Sequence, residues 1–192
     1  MTADQPHAFE ARGQFVAQIF VEPESHEGRQ LRRRFGSDGI IALPPAMVEE
    51  QVEGLATAYR QRASDAALIA SARAAVGSLS GAVPQSPKSL DARIARAVEL
   101  LRQRRGDAIP LSAVAAAVHL SPDRFRHLFM KEVGVGFRAY LLWQRLERSL
   151  TAYVAGETLT EAAHTGGFAD SAHFSRTFRR MFGLAPASVQ PE

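Results

Sequence analysis

The chain has 192 residues and 46% apolar residues, enough to bury the core of one ordinary domain or two small ones. It has no cysteine, which excludes a disulfide framework, a zinc–thiolate site and a cysteine nucleophile. No apolar run reaches the ~18 residues of a membrane span and the start lacks a signal-peptide pattern, so a cytoplasmic location is expected. Positive charge gathers in the second half. Residues 1–87 carry 8 basic and 10 acidic side chains, a net −2, whereas residues 88–192 carry 15 and 10, a net +5. Nearly all of it is arginine, and a basic half points weakly to a polyanion.

In chain order, the alternating, branched and aromatic FVAQIFV at residues 15–21 predicts a short strand. A short helix follows, opened by Pro23, with arginines in its last turn and Gly36 closing it. Arg32, Arg33 and Arg34 read as a solvated helix end that complements the dipole. Residues 45–76 favour one or two helices, with Gly54 as a weak point. GSLSGAVPQSPKS at residues 77–89 lacks periodicity and carries glycine, serine and two prolines, so a linker and a domain boundary near residue 85 are expected.

Past the linker, Ile94, Ala97, Val98 and Leu101 recur at helical spacing over residues 91–105. A shorter, alanine-rich helix is predicted at residues 110–120. Ser121 followed by Pro122 is an N-cap with proline at the first helical position, opening a helix to Val133 that stops at Gly134. A long helix over residues 137–154 ends before Gly156. Thr158 and Glu161 form a capping box for another short helix, and Asp170 caps the last one.

This half repeats itself. A shift of 49 residues lays Phe125, Phe129 and Gly134 on Phe174, Phe178 and Gly183, and the short helices upstream align at 48, Ala115 on Ala163. A short-helix, tight-turn, long-helix unit therefore occurs twice, which is the helix-turn-helix arrangement. Gly167 holds the turn position that favours a left-handed backbone; its counterpart His119 predicts a strained or differently shaped first turn. At 100° per residue, Phe174, Phe178, Met181 and Phe182 share one face of the last helix. Ala172, Arg176 and Arg179 lie opposite, with His173, Ser175 and Arg180 at the flanks. The earlier copy puts Asp123, His127 and Met130 outward, flanked by Arg124, Arg126 and Lys131. The rings are core; an outward arginine so placed suits the bidentate contact to guanine. Asp123 either accepts from a cytosine amino group or serves the helix N-terminus.

On LSAVAAAVHLSPDRFRHLFMKEVGVGFRAYLLWQRLERS and LTEAAHTGGFADSAHFSRTFRRMFGLAPASV, residues from about 90 to 189 resemble the AraC/XylS family of bacterial transcription regulators. The second stretch carries the family pattern Gly167-Phe168, Phe174, Phe178, Phe182-Gly183 and Pro186. The resemblance implies seven helices in two helix-turn-helix subdomains bridged by residues 137–154. It also implies that two recognition helices enter successive major grooves about one turn, roughly 34 Å, apart. Base or phosphate contact then falls to Asp123, Arg126 and His127 in one unit and to Ser171, Ala172, Ser175 and Arg176 in the other. Long members place a ligand-binding cupin barrel ahead of this domain, and residues 15–35 look like its last strand and exit helix. One strand cannot close a barrel: either the region is reduced, or a partner chain supplies a neighbouring sheet, or residues 45–76 serve as a dimerisation or protein-contact element, and a stored small-molecule sensor is not the expectation.

The expected architecture is mainly α: a reduced, mostly helical region with one strand at 1–85 and an AraC-type DNA-binding domain at 86–192. The expected function is sequence-specific binding of double-stranded DNA to regulate transcription, in contact with RNA polymerase, without cofactor, metal or catalysis. The alternative is an interaction protein whose N-terminal helices form a homodimer or contact another transcription protein, with DNA binding secondary. The alkyl-acceptor chemistry of DNA-repair methyltransferases needs cysteine, and the six histidines show no compact metal-ligand pattern.

Overall fold

The structure, a computed structural model, describes residues 16–36, 39–81, 89–104 and 109–189. The regular secondary structure among these residues is all helical, and the chain divides into two compact units, with the boundary between Lys88 and Ser89. The N-terminal unit holds α1 (His26–Phe35), α2 (Pro45–Arg60) and α3 (Asp65–Ser80). The C-terminal unit holds α4 (Ala92–Gln103), α5 (Leu111–Ala117), α6 (Pro122–Val133), α7 (Phe137–Val154), α8 (Leu159–Thr165) and α9 (Ser171–Phe182), then a 3₁₀ turn at Pro186–Ser188.

The expected strand is not there: residues 16–21 form no ladder, and Phe15 lies outside the described residues. Alternation makes a segment strand-competent, but backbone N–H and C=O groups need a neighbouring strand, and the described residues of this unit supply only helices. Nor does Pro23 open α1. Ser25 caps it, its Oγ accepting from the Gly28 N–H at 2.9 Å, and a Cβ on Gly28 would stand 2.1 Å from the Glu22 carbonyl oxygen. Gly36 closes the helix at φ 86°. Arg34 is not merely solvated: it lies over the Phe35 ring and its Nη1 donates to the Leu79 carbonyl at 3.0 Å, tying α1 to α3.

Two helices fill residues 45–80, but the break falls at residues 61–64, where Arg62 takes φ 52° and Ser64 caps α3. Gly54 stays helical; its cost of about 1 kcal/mol is offset where α2 packs along α3. Helix α3 also runs through Gly77 to Ser80, so the first four residues of the expected linker are helical, and residues 82–88 lie outside the described ones. Val52, Tyr59 and Ile69 remain exposed on α2 and α3.

In the C-terminal unit the expected caps are in place. Ser121, Thr158 and Asp170 start α6, α8 and α9, and Gly134 and Gly183 end α6 and α9 with positive φ; Asp91, not singled out from the sequence, caps α4. Helix α5 is shorter than expected, stopping at Ala117. Two clusters of buried side chains hold the unit together. Ile94, Leu101, Val114, Phe125, Phe129 and Val133 belong to one; Phe168, Phe174, Phe178, Met181 and Phe182 belong to the other. Helix α7 serves both, giving Phe137 and Tyr140 to the first and Leu146 to the second. A single unbroken rod thus roots α6 and α9.

Candidate nucleic-acid interface

Each candidate residue sits on α6 or α9, and the rings decide which way it points. Phe125 and Phe129 are fully buried, with centroids 5.4 Å apart, and both meet Phe137 of α7 edge-on at 5.7 Å. Phe174 and Phe178 are likewise fully buried, and Phe178 meets Phe182 at 4.4 Å. Such edge-on pairs add about 0.5–1.5 kcal/mol each beyond area burial, so neither helix is free to roll about its axis. With those faces anchored, Asp123, Arg124, Arg126, His127, Ala172, His173, Arg176, Arg179 and Arg180 are exposed, while Ser171 and Ser175 are half-buried.

The two turns that aim these helices have the same construction. In the first, His119 N–H donates to Ala116 O at 3.0 Å and Leu120 N–H to Ala115 O at 2.9 Å. In the second, Gly167 N–H donates to His164 O and Phe168 N–H to Ala163 O, both at 2.8 Å. His119 adopts φ 57° and Gly167 φ 79°. Of the two expected outcomes, a strained or a differently shaped first turn, the strained one is found: His119 takes the left-handed conformation itself. That conformation costs an L-residue about 1–2 kcal/mol, and the packing of α5 and α6 on α4 holds it in place.

Spacing alone did not reveal a clamp on the second turn. Arg145 of α7 donates from Nε to the Gly166 carbonyl at 3.3 Å and from Nη2 to the Gly167 carbonyl, and its guanidinium lies 4.4 Å above the Phe168 ring. Burial lowers its pKa from the usual arginine value. The contact spans 21 residues and fixes the carbonyls that precede α9. Gly166 beneath it has no room for a side chain: a Cβ there would lie 1.9 Å from Ser149 Oγ.

On α6, Arg126 Nη1 meets Asp123 Oδ1 at 3.0 Å and His127 Nδ1 lies 2.8 Å from the Asp123 carbonyl oxygen. Both charged side chains of the pair are largely exposed, so it is worth at most about 1 kcal/mol and exchanges readily for a phosphate. Asp123 thereby faces Arg126, beyond its place in the first turn. On α9, Asp170 Oδ1 accepts from the His173 N–H at 2.6 Å, and the His173 ring stands edge-on to Phe168 at 5.3 Å. Arg176, Arg179 and Arg180 form no ion pair with another described residue. A row of exposed guanidinium groups opposite a ring-packed face is a surface that receives anions.

Residues 114–191 match the family described as a helix-turn-helix domain. The chain is 33% identical over 93 residues to the "Uncharacterized HTH-type transcriptional regulator YijO" of Escherichia coli, covering 48% of this chain and 33% of that protein. It is 34% identical over 101 residues to the "Transcriptional activator NphR" of a Rhodococcus species, covering 52% and 30%. The "Arabinose operon regulatory protein" of Escherichia coli is 27% identical over 103 residues, with 53% and 35% covered. The chain thus matches about a third of the length of these curated relatives. Among solved structures, the C-terminal domain of the response regulator AraT from Geobacillus stearothermophilus aligns with a TM-score of 0.47 at 22% identity, over 52% of this chain and 84% of that one.

Proposed function

We propose that the chain, whose residues 114–191 are an AraC-type helix-turn-helix domain of a family of transcription regulators rather than enzymes, binds double-stranded DNA sequence-specifically through two recognition helices, α6 and α9. The observation that carries this reading is the duplicated turn, hydrogen-bonded alike in both copies, each aiming a helix whose rings are buried and whose opposite face is open. Each short-helix and long-helix pair then acts as one helix-turn-helix subdomain, and α7 is the linker that couples them. Helices α6 and α9 enter successive major grooves on one side of the duplex.

Within this reading the side chains divide by position. His127 and Arg176 occupy equivalent places, 49 residues apart, on the middle of the outward faces, where base edges come within reach. Ala172 offers only a methyl and packs on a thymine methyl, while Ser171 and Ser175 are within reach of phosphate or base. Arg124, Arg179 and Arg180 supply charge to the backbone. Arg176→Ala is expected to cost about 1–3 kcal/mol at one base pair and to relax preference there, without altering preference elsewhere. Arg180→Ala is expected to weaken all duplexes alike and to reduce the salt slope of binding by about one. Competition binding of both variants against a set of singly substituted operators separates the two; identical behaviour of the variants would refute the division.

A further inference from the structure

One flank of α6 faces α4. Arg124 and Lys131 stand on the same side of α6, next to the outward His127. These three, with Arg93 near the start of α4, line a cleft of about 370 Å³ whose apolar part is Leu120 and Leu128. The two helices are held in register there, because the Asp91 N–H donates to Glu132 Oε2 at 3.2 Å. That contact sets the residue two before Arg93 against the residue after Lys131. Arg93 is itself steadied by Asp91, its Nε and Nη2 donating to the two carboxylate oxygens at 3.0 and 2.8 Å. Arg124 and Lys131 form no ion pair with another described residue. The Asp123 carboxylate also lines the cleft, its Oδ1 paired at 3.0 Å with Arg126 on the far flank, and leaves the three cations in the majority there.

Three permanent cations from two helices therefore converge on one cleft beside the face that carries His127. If that face reads base edges, the flank next to it borders the wall of the groove, where the sugar–phosphate strand runs. Resting on the DNA-binding reading above, we propose that the α4–α6 cleft seats a backbone phosphodiester of the bound duplex, gripped by Arg124 and Lys131 from one side and Arg93 from the other. The seat makes α4, a helix outside both turn units, a DNA-contacting element. It also fixes how far α6 sinks into its groove. In the second unit Arg180 matches Lys131, but His173 stands where α6 has Arg124.

The test uses the full chain and an operator it selects from random duplexes. Lys131→Gln and Arg93→Gln are each expected to weaken operator and unrelated duplex by the same factor, and to lower the slope of log affinity against log salt by about one. Asp91→Asn keeps a side chain able to cap α4 and removes the negative charge beside Arg93. It is expected to act in the opposite direction, tightening binding about two- to five-fold at low salt, the scale of one exposed charge interaction. Neutral methylphosphonate linkages placed one at a time along the operator should reveal one that weakens the unaltered chain but not Lys131→Gln. Unchanged salt slopes for both glutamine variants, on an operator that the unaltered chain recognises, would overturn the seat and leave the function standing. Weakened variants with no such linkage would reduce the cleft to a diffuse attraction for the duplex and overturn the seat equally. Failure of the unaltered chain to select any operator would remove the function and the seat together.

Discussion

Phe178→Ala is expected to destabilise the C-terminal unit by about 3–5 kcal/mol and to abolish DNA binding at temperatures where the unaltered chain binds. The ring is fully buried, 5.7 Å from Phe174 and 4.4 Å from Phe182, in the cluster that Leu146 of α7 completes. Alanine removes the ring and leaves a cavity that neighbouring aromatic groups, each fixed by its own contacts, fill only in part. Domains of this size are stable by only about 5–15 kcal/mol, so the loss takes a large share of the total. Urea unfolding followed by circular dichroism reads it directly. A change under about 1 kcal/mol would mean that Phe178 is not in the core and that α9 is not aimed by its rings.

Gly166→Ala is the second large effect, and its sign opposes helix propensity. Gly166 follows α8 with φ −79°, a conformation alanine adopts freely, and alanine is favoured over glycine by about 1 kcal/mol in helices. Propensity alone therefore predicts stabilisation. The added Cβ, however, would lie 1.9 Å from Ser149 Oγ and 2.6 Å from the Arg145 carbonyl oxygen, and the second of these is backbone within α7. Helix α8 must move away, at a cost of about 1–3 kcal/mol or more for overpacking. The shift also pulls the Gly166 and Gly167 carbonyls from Arg145, releasing the turn ahead of α9. Urea unfolding should show lower stability, and footprinting should show protection lost from the half-site of α9 first. An unchanged or raised unfolding midpoint would contradict the close approach of α8 to α7.

What was legible in the chain alone is what local chemistry dictates. Ser121 before Pro122, the Thr158–Glu161 box, Asp170 and the terminal glycines of α6 and α9 act within a turn of themselves, and each does so in the structure. The ring faces of α6 and α9 were equally readable, since a period of 3.6 places Phe125 with Phe129 and Phe174 with Phe178 whatever surrounds them.

The misreadings share one cause, that partners distant in sequence decide the outcome. Residues 16–21 alternate as a strand does, yet no strand forms among the described residues. Gly77 and the serines beside it have the composition of a linker, but they continue α3, whose Leu79 carbonyl receives Arg34 of α1. Arg145 has the spacing of an ordinary amphipathic-helix arginine, and its role as a clamp comes from carbonyl partners 21 and 22 residues on. Arg93 likewise gained meaning only when the fold brought it to the same cleft as Lys131.

Sequence-specific binding of this kind requires α6 and α9 to read one duplex together. Selection of binding sites from a random duplex library by the full chain tests this most directly. Two short motifs enriched jointly, with centres about 10–10.5 base pairs apart, are the predicted result. A single motif, two motifs with no fixed spacing, or retention that varies with salt and not with sequence would contradict it.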